Sequence, residues 1–163
     1  MKTLLIVFHS VTGGTRAMAE AAAAGAAAEP AVACRLLTAP AAGPADLLAA
    51  DAYLFATPEN LAAISGLMKD FFDRCYYPVL EHLAGRPYAS LICAGSDGAN
   101  AARQIARIAT GWRLRAVAAP LIVCTHAQSA EAILAPKVIP VGELERCAEL
   151  GQALAVGVAA GVF

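Results

Sequence analysis

The stretch KTLLIVFHSVTGGTR, Lys2 to Arg16, decides how the rest of the chain is read. Its first seven residues form a continuous apolar run. Such a run suits a central parallel strand buried on both faces better than a half-exposed strand, which would alternate. Gly13-Gly14 breaks the run, and Thr15 to Ala28 is Ala-rich and helix-favouring. A strand, a glycine turn and a helix make the opening half of a βαβ unit.

The same pattern recurs outward along the chain. Ala31–Leu37 can be a second strand, followed by a Pro/Gly loop and a short helix from Ala45 to Ala50. Asp51–Thr57 is a third strand ended by Pro58, and Ile64–Leu83 a long helix with Leu67, Phe71, Cys75 and Phe72 as its apolar stripe. Tyr88–Ala94 is a fourth strand and Ala99–Ala109 the next helix. Leu114–Cys124 holds a fifth strand, and Pro120 within it suggests an edge or a bulge. The segment from Thr125 to Val141 is less regular, and Gly142–Ala160 is a final helix interrupted by Gly151 and Gly157. Regular βα alternation implies a mostly parallel sheet with helices on both faces. No repeat or linker divides the 163 residues, so a single domain spanning 1–163 is expected.

Composition removes several function classes. A formal net charge of -1 gives no basic excess to track a nucleic acid backbone. The five cysteines are odd in number, show no CxxC and have no His/Cys spacing suited to zinc, so no metal site is expected. Cys93 and Cys124, inside apolar runs, read as buried core. The apolar run after Met1 is too short for a secretory signal and no run approaches a bilayer span, which makes a cytoplasmic protein the expectation.

Ligands of open α/β sheets bind outside the carboxyl ends of the strands, so three loops matter. After strand one, Ser10, Thr12 and Thr15 offer hydroxyls, Gly13 and Gly14 let the backbone aim its amides, and a helix N-terminus adds its dipole. Together these suit a phosphate, although an ordinary turn with a Ser/Thr N-cap explains the same residues. The lysine of GxxxxGK[ST] is missing, GxGxxG is absent, and no cysteine or paired acidic residues stand where a phosphatase or receiver domain needs them. After strand three, Thr57 can bond a polyol, Pro58 fixes the backbone, and Glu59, Asn60 and Leu61 can lie along a planar ligand. Alternatively, Pro58 simply breaks the strand and Asn60 or Ser65 caps the helix. After strand four, Gly95, Ser96, Asp97 and Gly98 can present amides to the carbonyl and N1 edge of a flavin, or form a turn capped by Ser96 or Asp97.

With these motifs in view, HSVTGGTR and the helix after it resemble the phosphate loop of flavodoxin-like FMN proteins. TPENLAAISGLMKDFFDR is similar to the corresponding segment of NAD(P)H-dependent FMN reductases and WrbA-type quinone oxidoreductases. The resemblance implies an α/β flavodoxin-like three-layer sandwich with a five-stranded parallel sheet in the order 2-1-3-4-5. It implies FMN as cofactor, with the phosphate on Ser10, Thr12, Gly13, Gly14 and Thr15. Ribityl and ring contacts would fall at Thr57, Pro58, Glu59 and Asn60, and at Ala94, Gly95, Ser96 and Gly98. It further implies NAD(P)H and a small electron acceptor as partners, and a homodimer or homotetramer. The sequence departs from the resemblance in two ways: WrbA-type chains are longer, and the Pro-Glu-Tyr-Asn of other reductases lacks its tyrosine here.

Neither the loop after Thr57 nor that after Ala94 contains an aromatic residue before Phe71 or Trp112. At least one face of a bound ring would be open, which suits two-electron transfer from NAD(P)H to a quinone or similar acceptor. A flavodoxin-like electron carrier serving a partner enzyme is the alternative. No side chain is required as acid or base, so no catalytic residue is assigned. Tyr76, Tyr77 and Trp112 read as packing residues, with closure of a neighbouring subunit's site as the alternative for the tyrosines. Arg103 and Arg107, four apart, read as a solvated helix face, with attraction of an NADP phosphate as the sharper alternative. His9 stands beside the phosphate loop without a sequence partner.

Overall fold

The computed structural model describes residues 1–163. In chain order the elements are β1 (Lys2–Phe8), α1 (Gly14–Ala26), β2 (Val32–Thr38), α2 (Pro44–Ala49), β3 (Ala52–Asn60), β4 (Ala63–Ile64) and α3 (Gly66–Val79). They continue with β5 (Pro87–Ala94), α4 (Ala99–Gly111), β6 (Arg115–Ala116), β7 (Leu121–Cys124), α5 (Ala130–Leu134) and α6 (Val141–Ala159). The sheet runs β2-β1-β3-β5, and β6 and β7 share the last edge, all parallel. Leu4, Leu5, Ile6 and Val7 are fully buried, as a central strand covered on both faces requires.

The order matches the expected 2-1-3-4-5, and the differences lie within the strands. The fifth strand is two pieces. β6 pairs with the start of β5 (Pro87↔Arg115) and β7 with its end (Ala94↔Cys124), and the intervening chain, which contains Pro120, leaves the ladder. The third strand does not end at Pro58 but runs on to Asn60, with Pro58 in register with Cys93. The reason is one of direction. The Ala56 carbonyl accepts from the His9 amide, so residues of that parity face β1. Two residues later β1 has ended, and the amide that Pro58 lacks would have pointed to the vacated side.

Beyond Pro58 the chain turns back through Leu61 (φ 50°) and Ala62 (φ 61°) into β4, which pairs antiparallel with β3 (Glu59↔Ile64). Two consecutive left-handed residues without a glycine make a strained hairpin tip. α3 is shorter than its periodicity suggests, because both ends of the expected helix belong to other structure. Its buried stripe is Met68, Phe71, Phe72, Cys75 and Val79, and Leu67 is exposed.

α2, α3 and α4 cover one face of the sheet, and α1 and α6 the other. The glycine that seemed to interrupt α6 is a packing residue. A Cβ at Gly151 would meet the Ala22 carbonyl oxygen at 1.9 Å, and one at Gly25 would meet that of Ala148 at the same distance. The two backbones therefore touch and hold α1 in place behind the β1–α1 turn. No helix is long and apolar enough to cross a membrane.

Candidate functional site

At the carboxyl edge of the sheet, the turns after β1, β3 and β5 converge with the segment after β7 around a cleft of about 530 Å³. This lies in the ordinary range for a small-molecule site. Of the residues singled out from sequence, Ser10, Thr12, Gly14, Thr15, Pro58, Glu59, Asn60, Ala94, Gly95 and Ser96 line it together. Gly13, Thr57 and Gly98 do not line it.

The β1–α1 turn is a concentration of unused donors. α1 begins at Gly14, and its first backbone bond runs from Ala17 to the Gly13 carbonyl. The amides of Val11, Thr12, Gly14, Thr15 and Arg16 donate to no acceptor in the chain. Ser10 Oγ accepts from the Gly13 amide at 3.1 Å, which leaves its own proton free. Gly13 itself, at φ 93°, makes the turn behind the lining rather than forming part of it. Gly14 is required by space: a Cβ there would lie 2.7 Å from Cys93 Sγ and 3.2 Å from Lys137 Cβ. Thr15 is buried, and its hydroxyl has no hydrogen-bond partner. It lies near enough to the Cys93 thiol to ease that thiol's ionisation, yet without hydrogen-bond geometry. Burial still dominates and pushes Cys93 up, with the Thr15 hydroxyl and the Lys137 charge opposing. Cys93 is therefore an inert wall residue.

The opposite wall is the β3–β4 hairpin, held at three places. Glu59 Oε1 accepts from the Gly98 amide at 3.0 Å, Gln104 Oε1 from the Ile64 amide at 2.9 Å, and Asn100 Nδ2 donates to the Ala62 carbonyl. Gly98 therefore does not offer its amide to a ligand as expected, because its left-handed backbone (φ 83°) turns the N–H onto Glu59. Glu59 Oε2 is buried without a partner. The amides of Gly95 and Ser96 are likewise uncommitted.

Thr57 is not a ligand-facing hydroxyl either. It is fully buried, donates to the Pro58 carbonyl at 2.9 Å and accepts from the Ser65 amide at 3.1 Å. Ser65, at the N-cap of α3, makes no cap bond. Its Oγ lies 2.8 Å from His9 Nδ1. His9 thus ties the hairpin base to β1, and burial alone lowers its pKa from 6.5.

Leu61 lines the cleft beside Glu59 and Asn60, while sequence reasoning missed Ala62 at the hairpin tip and Thr125, Ile133, Leu134 and Lys137 from the irregular segment after β7. That segment is drawn over the cleft by the Lys137 amide, which donates to the Thr12 carbonyl at 2.8 Å. No aromatic side chain lines the cleft.

Comparison with known proteins agrees with this architecture. The structure is similar to that of a flavodoxin from the domain Archaea (TM-score 0.74, 20% identity, 96% of this chain and 98% of that one). It is also similar to a flavodoxin, WrbA-like protein from Agrobacterium tumefaciens (TM-score 0.69, 24% identity, 99% of both chains). Rubredoxin:oxygen oxidoreductase from Desulfovibrio gigas matches over 99% of this chain and 37% of its own (TM-score 0.78, 16% identity). At these identities the likeness establishes the flavodoxin-like fold. No curated protein matches the sequence. The family model described as NADPH-dependent FMN reductase matches residues 41–129, more than half of the chain, and covers the β3–β4 hairpin, the turn after β5 and the first five residues of the segment after β7. The chain therefore belongs to the NADPH-dependent FMN reductase family, a flavin-binding group whose cofactor is FMN and whose chemistry is oxidation–reduction.

Proposed function

We propose that the chain transfers two electrons from NAD(P)H, by way of FMN held in the cleft, to a quinone or another small acceptor. The observation that carries this reading is the match between the cleft's uncommitted groups and the parts of FMN. Five free amides and the unpartnered Thr15 hydroxyl gather at one end, as a phosphate dianion requires. At the other, the Gly95 and Ser96 amides can donate to ring carbonyls, and Glu59 Oε2 can accept from a ring imide N–H. Satisfying these buried atoms stabilises the complex by removing the cost of leaving them dry and unpaired.

Bound FMN supplies the redox chemistry of its ring, and the protein supplies placement and exclusion of competing reactions. Ser10, Thr12, Gly14 and Thr15 anchor the phosphate. Pro58, Glu59 and Asn60 form one rigid side of the site, and Ala94, Gly95 and Ser96 its floor. Leu61, Ile133 and Leu134 present apolar surface at the mouth. The absence of an aromatic lid supports two-electron exchange with a stacking substrate over the carrier alternative. The exposed Val11, Leu61, Leu134 and Val138 favour a homodimer or homotetramer that covers them.

Anaerobic stopped-flow mixing of the FMN-loaded protein with NADPH tests the reading. Direct loss of the oxidised flavin absorbance, restored by a quinone, is expected. A flavin that stays oxidised with both NADPH and NADH, yet accepts single electrons from a protein donor, would establish the carrier instead.

A further inference from the structure

The outer face of α4 carries positive charge that the chain does not neutralise. Arg103 and Arg107 are exposed one turn apart, opposite the buried Ala101, Ala102, Ile105 and Ala109. None of the six ion pairs in the molecule includes either arginine. From sequence these two residues read as a solvated face. The structure adds their location. Arg103 Nη2 donates to Asn100 Oδ1 at 3.3 Å, and Asn100 in turn donates to the carbonyl of Ala62. Ala62 lines the cleft, so Arg103 is held two hydrogen bonds from the cleft rim.

The other cations near the rim are committed. Lys137 Nζ donates to the carbonyls of Ala132, Ile133 and Ala135. Arg16 lies over the Phe8 ring at 5.2 Å and reaches toward Glu20. A nicotinamide entering the cleft leaves its adenosine end at the rim, where Arg103 is the uncommitted cation.

We infer that Arg103, with Arg107 one turn behind it, receives the 2′-phosphate of NADPH and sets a preference for NADPH over NADH. This rests on the reading of the site as an NAD(P)H-dependent one. The chemistry fits: a phosphomonoester carries close to two negative charges, and a guanidinium offers a permanently charged fork that binds it through two hydrogen bonds. NADH has a hydroxyl at that position and gains nothing from the arginines. Asn100 is a positioning residue that aims Arg103 along the rim.

The test uses the FMN-loaded protein and two readouts. The first is calorimetric binding of NADP⁺ and NAD⁺, which needs no turnover. The second is the second-order rate of flavin reduction by NADPH and NADH. Arg103→Ala should weaken NADP⁺ binding and slow reduction by NADPH about tenfold each, and Arg103→Ala/Arg107→Ala further. NAD⁺ binding and reduction by NADH should be unchanged, and Arg103→Lys should restore part of the loss. The inference is overturned if the double variant keeps the wild-type preference, or if both nucleotides weaken in parallel. If neither nucleotide reduces the wild-type flavin, the proposed function fails, and the NADP⁺/NAD⁺ binding ratio still decides the role of Arg103.

Discussion

Two helix starts in this molecule share one backbone design. α1 and α4 each have a left-handed glycine at the N-cap, Gly13 at φ 93° and Gly98 at φ 83°. Neither has a side-chain cap bond or an acidic residue in its first turn. Both lie at the carboxyl edge of the sheet, and both carry the partial positive charge of a helix N-terminus. They differ in what meets that charge. At α4 the Glu59 carboxylate, brought from β3, accepts the Gly98 amide. At α1 no acidic group approaches, and five amides remain open. A helix dipole alone therefore does not mark an anion site. On the proposed reading, an external anion goes to the start that the chain has left without an anion of its own.

The largest effect should come from supplying α1 with such an anion. Thr12→Asp places a carboxylate among the open amides, where a second charge at about 4 Å costs roughly 4 kcal/mol at an effective dielectric constant near 20. FMN affinity, read from quenching of flavin fluorescence, should fall at least about a hundredfold, while the thermal midpoint of the apo-protein stays close to wild type. The same charge introduced at Ser96, in the α4 turn, should cost much less. If Ser96→Asp proves the more damaging of the two, the phosphate sits at α4 and the contrast between the two turns is wrong.

A smaller effect should follow from changing the internal anion. Glu59→Gln keeps one oxygen for the Gly98 amide but replaces the unpartnered Oε2 with a donor, or the reverse if the amide flips. Either a ring N–H or the Gly98 N–H then faces another donor. FMN affinity should fall about tenfold, and stability by about 1 kcal/mol, the scale of one charge at a helix N-terminus. Unchanged affinity in this variant would show that Glu59 serves α4 alone.

How far these features could be read from the chain depends on whether their causes are local. β1, β3 and β5 were legible because each is a compact apolar run, and the α1 turn because its Ser, Thr and Gly residues lie within six positions of one another. Glu59 and Gly98 are 39 residues apart, so nothing near either predicts that one closes the other. The β4 hairpin was hidden because Leu61 and Ala62 are not residues that favour left-handed turns, and its distant bonds to Gly98, Asn100 and Gln104 hold it. Ser65 looked like a helix cap from sequence. Its hydroxyl is instead drawn to His9, 56 residues away. Ile133, Leu134 and Lys137 entered the cleft through one backbone bond to Thr12 from a segment with no periodic pattern.

His9 gives the finest test of the contrast, because it adjoins Ser10 and would, if protonated, supply the α1 turn with a side-chain cation. The geometry argues otherwise. Burial lowers its pKa below 6.5 with no charged group contributing from β1, β3 or α3, so the imidazole is neutral at pH 7 and the open amides act alone. The sign of the stability effect follows from linkage. The unfolded chain takes up the proton first as pH falls through 6.5, while the folded chain resists until its lower value is reached. The stability associated with neutral His9 is therefore complete above 6.5 and is lost as pH falls through the folded value. Melting of the apo-protein between pH 7.5 and 5.5, compared with His9→Gln, should show the two converging or crossing as the wild type loses stability on the acid side. A wild type that instead gains on His9→Gln as pH falls would mean that a protonated His9 is stabilised in the fold, and that the α1 site draws on a charge besides its amides.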